Sequence, residues 1–260
     1  MPNFLISVDY FVRFILVFFR ISGILVFAPF FNHSAFSTPL RITLALVISF
    51  ITFPLLAIQA FTPPTAAIEL ILAVARELMV GLVIGFAAQL IFVGIQFAGE
   101  LISTEMGYGL ARLVDPTFNE QSTVVSQLYN LFALMIFVSL GGHYFFIRAA
   151  IQTFDFVPLA GFHYSTNLGS YLFRLFGNVF VIGLRIGAPV IISLFVTTVA
   201  MGLVSRAIPQ MNIFMISPPL KIIAGLVMLI ISLRAAMTMF EFLFMQLKKD
   251  LQSIIANMAG

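Results

Sequence analysis

The chain has 260 residues, of which 61% are hydrophobic and only 9% charged, with a formal net charge of +3. An ordinary soluble domain carries roughly a quarter charged residues, so this composition belongs to the membrane class. The small, dispersed positive charge gives no reason to expect nucleic acid as a partner. Cysteine is absent, which excludes thiolate metal sites, disulfides and cysteine nucleophiles.

The useful unit for such a chain is the apolar segment of about 20 residues that crosses a hydrocarbon core of about 30 Å, and there is room for six or more. The segment from Val8 to Ala28 is apolar apart from Asp9, Arg13 and Arg20, which share one helical stripe. It has neither a basic leader nor a small-residue cleavage site, and so reads as retained helix rather than a removable signal. Leu40 to Ala60 is a second apolar segment, closed by Pro54 and the Pro63-Pro64 pair. Ala67 to Glu105 is too long for one perpendicular crossing, so it either kinks or leaves the bilayer; Gly81 and Gly85 in it have the spacing that lets another helix backbone approach closely.

Met106 to Ser122 breaks the apolar pattern with Gly107, Gly109, Pro116 and a polar run. Backbone outside a helix or closed barrel must be buried in protein, line a water-filled cavity or lie outside the hydrocarbon. Met106, Tyr108, Leu110, Leu113 and Val114 give the segment an adaptable apolar surface, suited to plugging a narrow channel; an ordinary periplasmic loop is the competing reading. Thr123 to Leu140 is a short apolar helix, and His143 to Phe156 is amphipathic, suited to an interface or a partner. After a connection at Pro158 to Asn167, a second long apolar run spans Leu168 to Ser205, with Gly183 and Gly187 again four apart.

Arg206 to Lys221 is the last break. Pro209 and the Pro218-Pro219 pair remove backbone donors, so one helix is expected to stop near Arg206 and the next to start near Pro219. Pro209, Gln210, Met211, Asn212, Phe214 and Lys221 mix polar and large apolar groups, as a loop with a partner would. Seven of eight marker residues between Pro29 and Leu46 recur identically 180 positions on, from Pro209 to Leu226, which reads as one helix–loop–helix design used twice or as a chance match of Pro-rich loops. The final helix is expected to run from Pro219 to Leu247, and the tail from Lys248 to Gly260 to be the least ordered part.

No two of His33, His143, His163 and the ten acids fall in a metal-ligand or acid–base spacing; no phosphate-binding loop is present, and no cofactor is implied. Six arginines lie within apolar segments, each costing about 2.5–3.5 kcal/mol at the centre of a lipid-facing helix. Those near segment ends, Arg174 and Arg76, can snorkel. Arg20, Arg185 and Arg234 lie nearer the middle and are expected to pair with acids such as Glu77, Glu100 or Glu241, or with acids on other subunits.

Several of these residues, in this order, resemble the FliR family of bacterial flagellar export-gate proteins and their injectisome counterparts. They are Phe19-Arg20-Ile21, Pro29-Phe30, Pro39-Leu40-Arg41, Ala98-Gly99-Glu100, Met106-Gly107 and Val114-Asp115-Pro116, followed by Gly142-His143, Ala188-Pro189, Pro209-Gln210-Met211-Asn212 and Pro219-Leu220-Lys221. The chain departs from the family at Ser217-Pro218, where Gly-Phe is usual, and at Leu110 and Leu113, where some members carry aromatics. The resemblance implies an all-α protein of bent helical hairpins, polytopic and membrane-associated, with an N-terminal part at 1–165 and a C-terminal hairpin at 166–260. It implies a non-enzymatic pore subunit for unfolded exported proteins in the bacterial inner membrane and flagellar basal body. FliP-like and FliQ-like subunits would be its partners, a plug would lie near 106–119, and an FlhB-like switch protein would dock at 206–221. It also makes the 180-residue match a likeness of loops rather than a whole-chain repeat. Without the resemblance, a secondary transporter for a small solute, with broken helices near the midplane, is the alternative.

Overall fold

The computed structural model describes residues 8–29, 37–56, 66–108, 122–162, 165–208, 210 and 212–258. Among them are seven α-helices, one 3-10 turn and no strand: α1 (Val8–Phe27), α2 (Thr38–Thr52) with the turn Phe53–Leu55, α3 (Ala67–Met106), α4 (Val124–Ser139), α5 (Gly142–Phe156), α6 (Thr166–Ala207) and α7 (Ile213–Met258). The protein is all-α, as the long apolar segments imply. Four of the helices, α1, α3, α6 and α7, are long and apolar enough to cross a membrane.

Helix boundaries follow local chemistry, with departures from expectation at the end of the second helix and at both ends of the last. The second helix stops at Thr52 rather than running to Ala60, because Pro54 tightens the chain into a 3-10 turn. The run from Ala67 is one helix of 40 residues; at about 1.5 Å per residue it is about twice the hydrocarbon thickness, so part of it stands outside that layer. The last helix begins at Ile213, six residues before Pro219, and takes Pro218 and Pro219 into its second turn. It then continues to Met258. The tail after Lys248 is helical and packed, because Leu251, Ile254, Ile255 and Met258 recur at spacings of three and four and are all buried.

The described chain divides into two compact units, 1–90 with 141–175 and 245–260, and 91–140 with 176–244. The sequence parts 1–165 and 166–260 each contribute to both.

In the first unit α1 crosses the first half of α3 on glycine. A Cβ at Gly23 would stand 2.7 Å from the Leu78 carbonyl oxygen, and one at Gly81 would run into that of Arg20. Gly85 makes the same approach to Ile24, with 2.6 Å left for a Cβ. The four-residue glycine spacing is therefore a packing device. Ser165 Oγ donates to the Asn257 carbonyl at 3.1 Å, and Tyr171 donates to Asp250 Oδ1 at 2.9 Å, holding the last turns of α7 on the start of α6.

The centre of this unit is ionic. Arg20 is 0% exposed and Glu77 1%, and they form a bidentate pair through Nε to Oε2 and Nη2 to Oε1. The guanidinium spends its other donors on the end of α5: Nη1 reaches the carbonyls of Thr153 at 3.0 Å and Val157 at 2.9 Å, and Nη2 that of Pro158 at 3.4 Å. Glu77 Oε1 in turn accepts the Ala160 amide at 2.7 Å, and Phe154 lies under the guanidinium at 4.2 Å. The last carbonyls of a helix lack intrahelical donors and carry partial negative charge, so a cation is well placed there.

Replacing Arg20 by Leu, or Glu77 by Leu, is expected to lower stability by about 3–5 kcal/mol, because the surviving partner is left charged and buried. The double change Arg20→Met with Glu77→Met should lose less than the two single changes added. Thermal unfolding in mild detergent reads this; single variants within about 0.5 kcal/mol of the parent would show the pair to be dispensable. Gly81→Val should abolish the folded state, since backbone cannot yield to the added atoms. Gly177→Ala, where a Cβ meets nothing within 4 Å, should be neutral or slightly stabilising.

Candidate functional site

The second unit is built on the second half of α3. Gly99 lies on the backbone of Ser126 at the start of α4, and Phe92 packs edge-on against Phe137 at its far end. Gly94 receives Ile182 of α6, Gly183 of α6 receives Phe97, and Gly225 of α7 receives Met106. Phe92 also meets Phe244 at 5.2 Å. Numbers rise together along α3 and α6 but oppose each other along α3 and α7, so α6 and α7 are antiparallel arms joined at 208–212.

The segment singled out as a plug begins at the end of α3. Met106 is the last residue of α3 and is fully buried against Gly225; Gly107 follows with φ +90°, the left-handed conformation that ends a helix on glycine. Tyr108 is half-buried, while Leu110, Leu113 and Val114 lie outside the described residues. The chain is described again at Ser122, and the two ends are tied together. Glu100 Oε1 accepts the Thr123 amide at 2.8 Å, and Ser103 Oγ donates to Thr123 Oγ1 at 2.8 Å. Thr123 also caps α4, accepting from the Ser126 amide at 3.3 Å. Glu100, expected to pair with an arginine, is instead used as the acceptor that closes this base.

In the docking loop, Gln210 and Asn212 are exposed, Lys221 is half-buried within α7, and Pro209, Met211 and the Phe214 side chain lie outside the described residues. Ile208 and Met215 flank it, the latter 74% exposed.

The arginines separate into two kinds. Arg20 is buried and paired with Glu77, one of the acids expected for it. Arg185 and Arg234 are exposed on this chain, and the ion pair of Arg20 with Glu77 involves neither. The intrachain pairing expected of them is therefore not made, because both point outward. Arg185 lies on a stripe of exposed Val181, Leu184, Ile192, Phe195, Val196 and Val199, and Arg234 on one of exposed Ile223, Val227, Ile230, Ile231 and Phe242. Both sit at matched depth: Arg185 is 22 residues before the end of α6 and Arg234 is 21 after the start of α7, about 33 and 32 Å from the turn. From Ile186 to Ser205 no residue is charged.

Among the described residues no three His, Asp or Glu side chains converge as a metal site would require. The arrangement offers surfaces, a tied loop base and outward cations.

Comparison with known proteins agrees with this description. A family model described as "Bacterial export proteins, family 1" matches residues 11–247. The chain is 28% identical to the flagellar biosynthetic protein FliR of Bacillus subtilis (strain 168) over 256 residues, covering 96% of each chain. It is 28% identical to that of Escherichia coli (strain K12) over 239 residues, 92% of this chain and 91% of the relative. It is 30% identical to that of Buchnera aphidicola subsp. Acyrthosiphon pisum (strain APS) over 202 residues, 78% of each. With the family model covering most of its length, the chain belongs to bacterial export protein family 1, the FliR family.

Proposed function

We propose that this chain is a non-enzymatic subunit of the bacterial flagellar type III export gate, set in the inner membrane at the flagellar basal body, and that it forms part of the pore through which unfolded proteins leave. The observation that carries the reading is the near full-length likeness to flagellar biosynthetic proteins in a chain whose two long arms each present an exposed apolar stripe that carries an outward arginine. A lone chain in lipid would leave each of those arginines at a cost of about 2.5–3.5 kcal/mol wherever it met the hydrocarbon centre. Neighbouring subunits with acceptor groups at that level, of FliP-like and FliQ-like kind, remove the penalty.

Two segments have assigned roles in this reading. The stretch 106–119 is the plug of the closed pore, and its base is fixed by Glu100, Ser103 and Thr123 while Met106 anchors it to Gly225. A segment held at both ends in this way is displaced by moving its middle, without unfolding the helices that carry it. The loop at 206–221, with exposed Gln210, Asn212 and Met215, is the docking place of an FlhB-like switch protein.

Co-expression with FliP-like and FliQ-like proteins is expected to give one complex that retains this chain through size exclusion, whereas the chain alone aggregates. A monodisperse, stable monomer in mild detergent would overturn the subunit reading. Deleting residues 109–114 should leave the complex assembled but raise its ion conductance in planar bilayers by about tenfold or more, because the apolar constriction that excludes water is gone. Unchanged conductance would remove the seal from this segment while leaving the subunit assignment standing. A photoreactive residue at position 211 should cross-link to the switch protein; adducts confined to the chain itself would reassign the loop as a plain connection.

A further inference from the structure

The first unit carries an open cleft of about 640 Å³ that has no part in the roles above. One wall is a single face of α5: Tyr144, Phe145, Arg148, Ile151 and Gln152 recur at spacings of three and four from Gly141. The opposite side is Lys248 of α7, whose ammonium stands 5.6 Å from the centre of the Phe145 ring, a cation–π contact that places it over the cleft. Arg148 and Lys248 are both exposed, Gln152 and Tyr144 add neutral donors, and no carboxylate lines the cleft. Asp155 lies one turn beyond Gln152, and Asp250 already accepts the Tyr171 hydroxyl.

A second observation points the same way. The N-cap of α5 is Gly141, at φ +70°, and it supplies no side-chain hydrogen bond to the amides of the first turn. The positive end of the helix therefore opens at the head of a face that already holds a cation, which favours an anion there. The rest of the lining, Phe145, Ile147 and Ile151, is apolar. A simple phosphate ion needs no such wall, and the volume is several times that of one ion. An amphipathic anion uses both halves of the cleft.

From this juxtaposition we propose that the cleft binds an acidic phospholipid, its phosphodiester between Arg148 and Lys248 and its first acyl carbons along Ile147 and Ile151. The amphipathic character of α5 suits a helix lying at the level of lipid headgroups. The site requires only that the chain be membrane-embedded; it stands whether or not the chain forms an export pore.

The test is native mass spectrometry of the purified chain in its subunit complex, stripped of lipid and titrated with phosphatidylglycerol, with phosphatidylcholine and with inorganic phosphate. Phosphatidylglycerol is expected to bind about tenfold more tightly than phosphatidylcholine, the order set by two cations near an anionic headgroup. Arg148→Gln combined with Lys248→Gln should abolish that preference, while Lys249→Gln, exposed beside the cleft but not lining it, should keep it. In parallel, a photoreactive residue at position 144 in the unmodified cleft should label lipid in native membranes, a readout that does not depend on the variants folding. Equal binding of the two lipids, a preference that survives the double substitution, or displacement of lipid by millimolar phosphate would overturn the proposal. So would labelling of a partner protein instead of lipid, which would make the face a protein interface.

Discussion

A guanidinium with no access to water has to be satisfied by the protein in every direction, and around Arg20 this requirement organises the first unit. Its donors point to a carboxylate on α3 and to the carbonyls that close α5, so three separate stretches of chain must arrive together before any of them is satisfied. Removing two charges from water costs several kcal/mol per ion, and attraction alone does not recover that. The geometry adds to it the remaining guanidinium donors, which meet the carbonyls of Thr153, Val157 and Pro158. The pair adds specificity as much as stability: an apolar substitute fills the same space but names no partner.

The glycine crossings act beside this charge. Gly23, Gly81 and Gly85 bring the backbones of α1 and α3 into direct approach, which carries Arg20 within reach of Glu77. In a lipid environment apolar burial gives little drive for helix association, so close backbone packing and interhelical polar contacts do more of the work than in water. Gly94, Gly99, Gly183 and Gly225 repeat the device in the second unit, where the side chains received are Ile182, Phe97 and Met106 and the Ser126 backbone.

How much of this was legible in the amino-acid order depends on the range of the interaction. Helical class, the glycine spacing, the stop near Arg206 and the break after Met106 are local, and each rests on a residue whose backbone preference is its own. Glu77 could be named among the acids for Arg20, but choosing it over Glu100 needs the fold, since the residues are 57 apart. A carboxylate among arginines suggests pairing, and only the fold shows that Glu100 accepts the amide of Thr123 at the start of α4. The packed tail was missed because Lys248, Lys249 and Asp250 hide the apolar spacing that resumes at Leu251. The early start of α7 is not legible because a proline pair reads as a helix boundary, whereas here both prolines lie inside the helix. Of the residues assigned to the plug, Met106 is buried against Gly225 and Tyr108 is half-buried, while Leu110, Leu113 and Val114 lie outside the described residues.

The two arms of α6 and α7 carry their outward arginines at the same distance from the turn, and this makes the hairpin a paired register. Inserting one residue between Arg185 and the turn would rotate that cation by about 100° around its helix and lift it by about 1.5 Å, while Arg234 stayed where it was. The outward stripe on one arm would then be out of phase with its cation, and a neighbour fitted to both would lose one. Changes of length are therefore confined to the connection at 208–212 or must come in compensating steps on both arms. In this sense the hairpin behaves as a gauge block, its length set by two marks that only have meaning together.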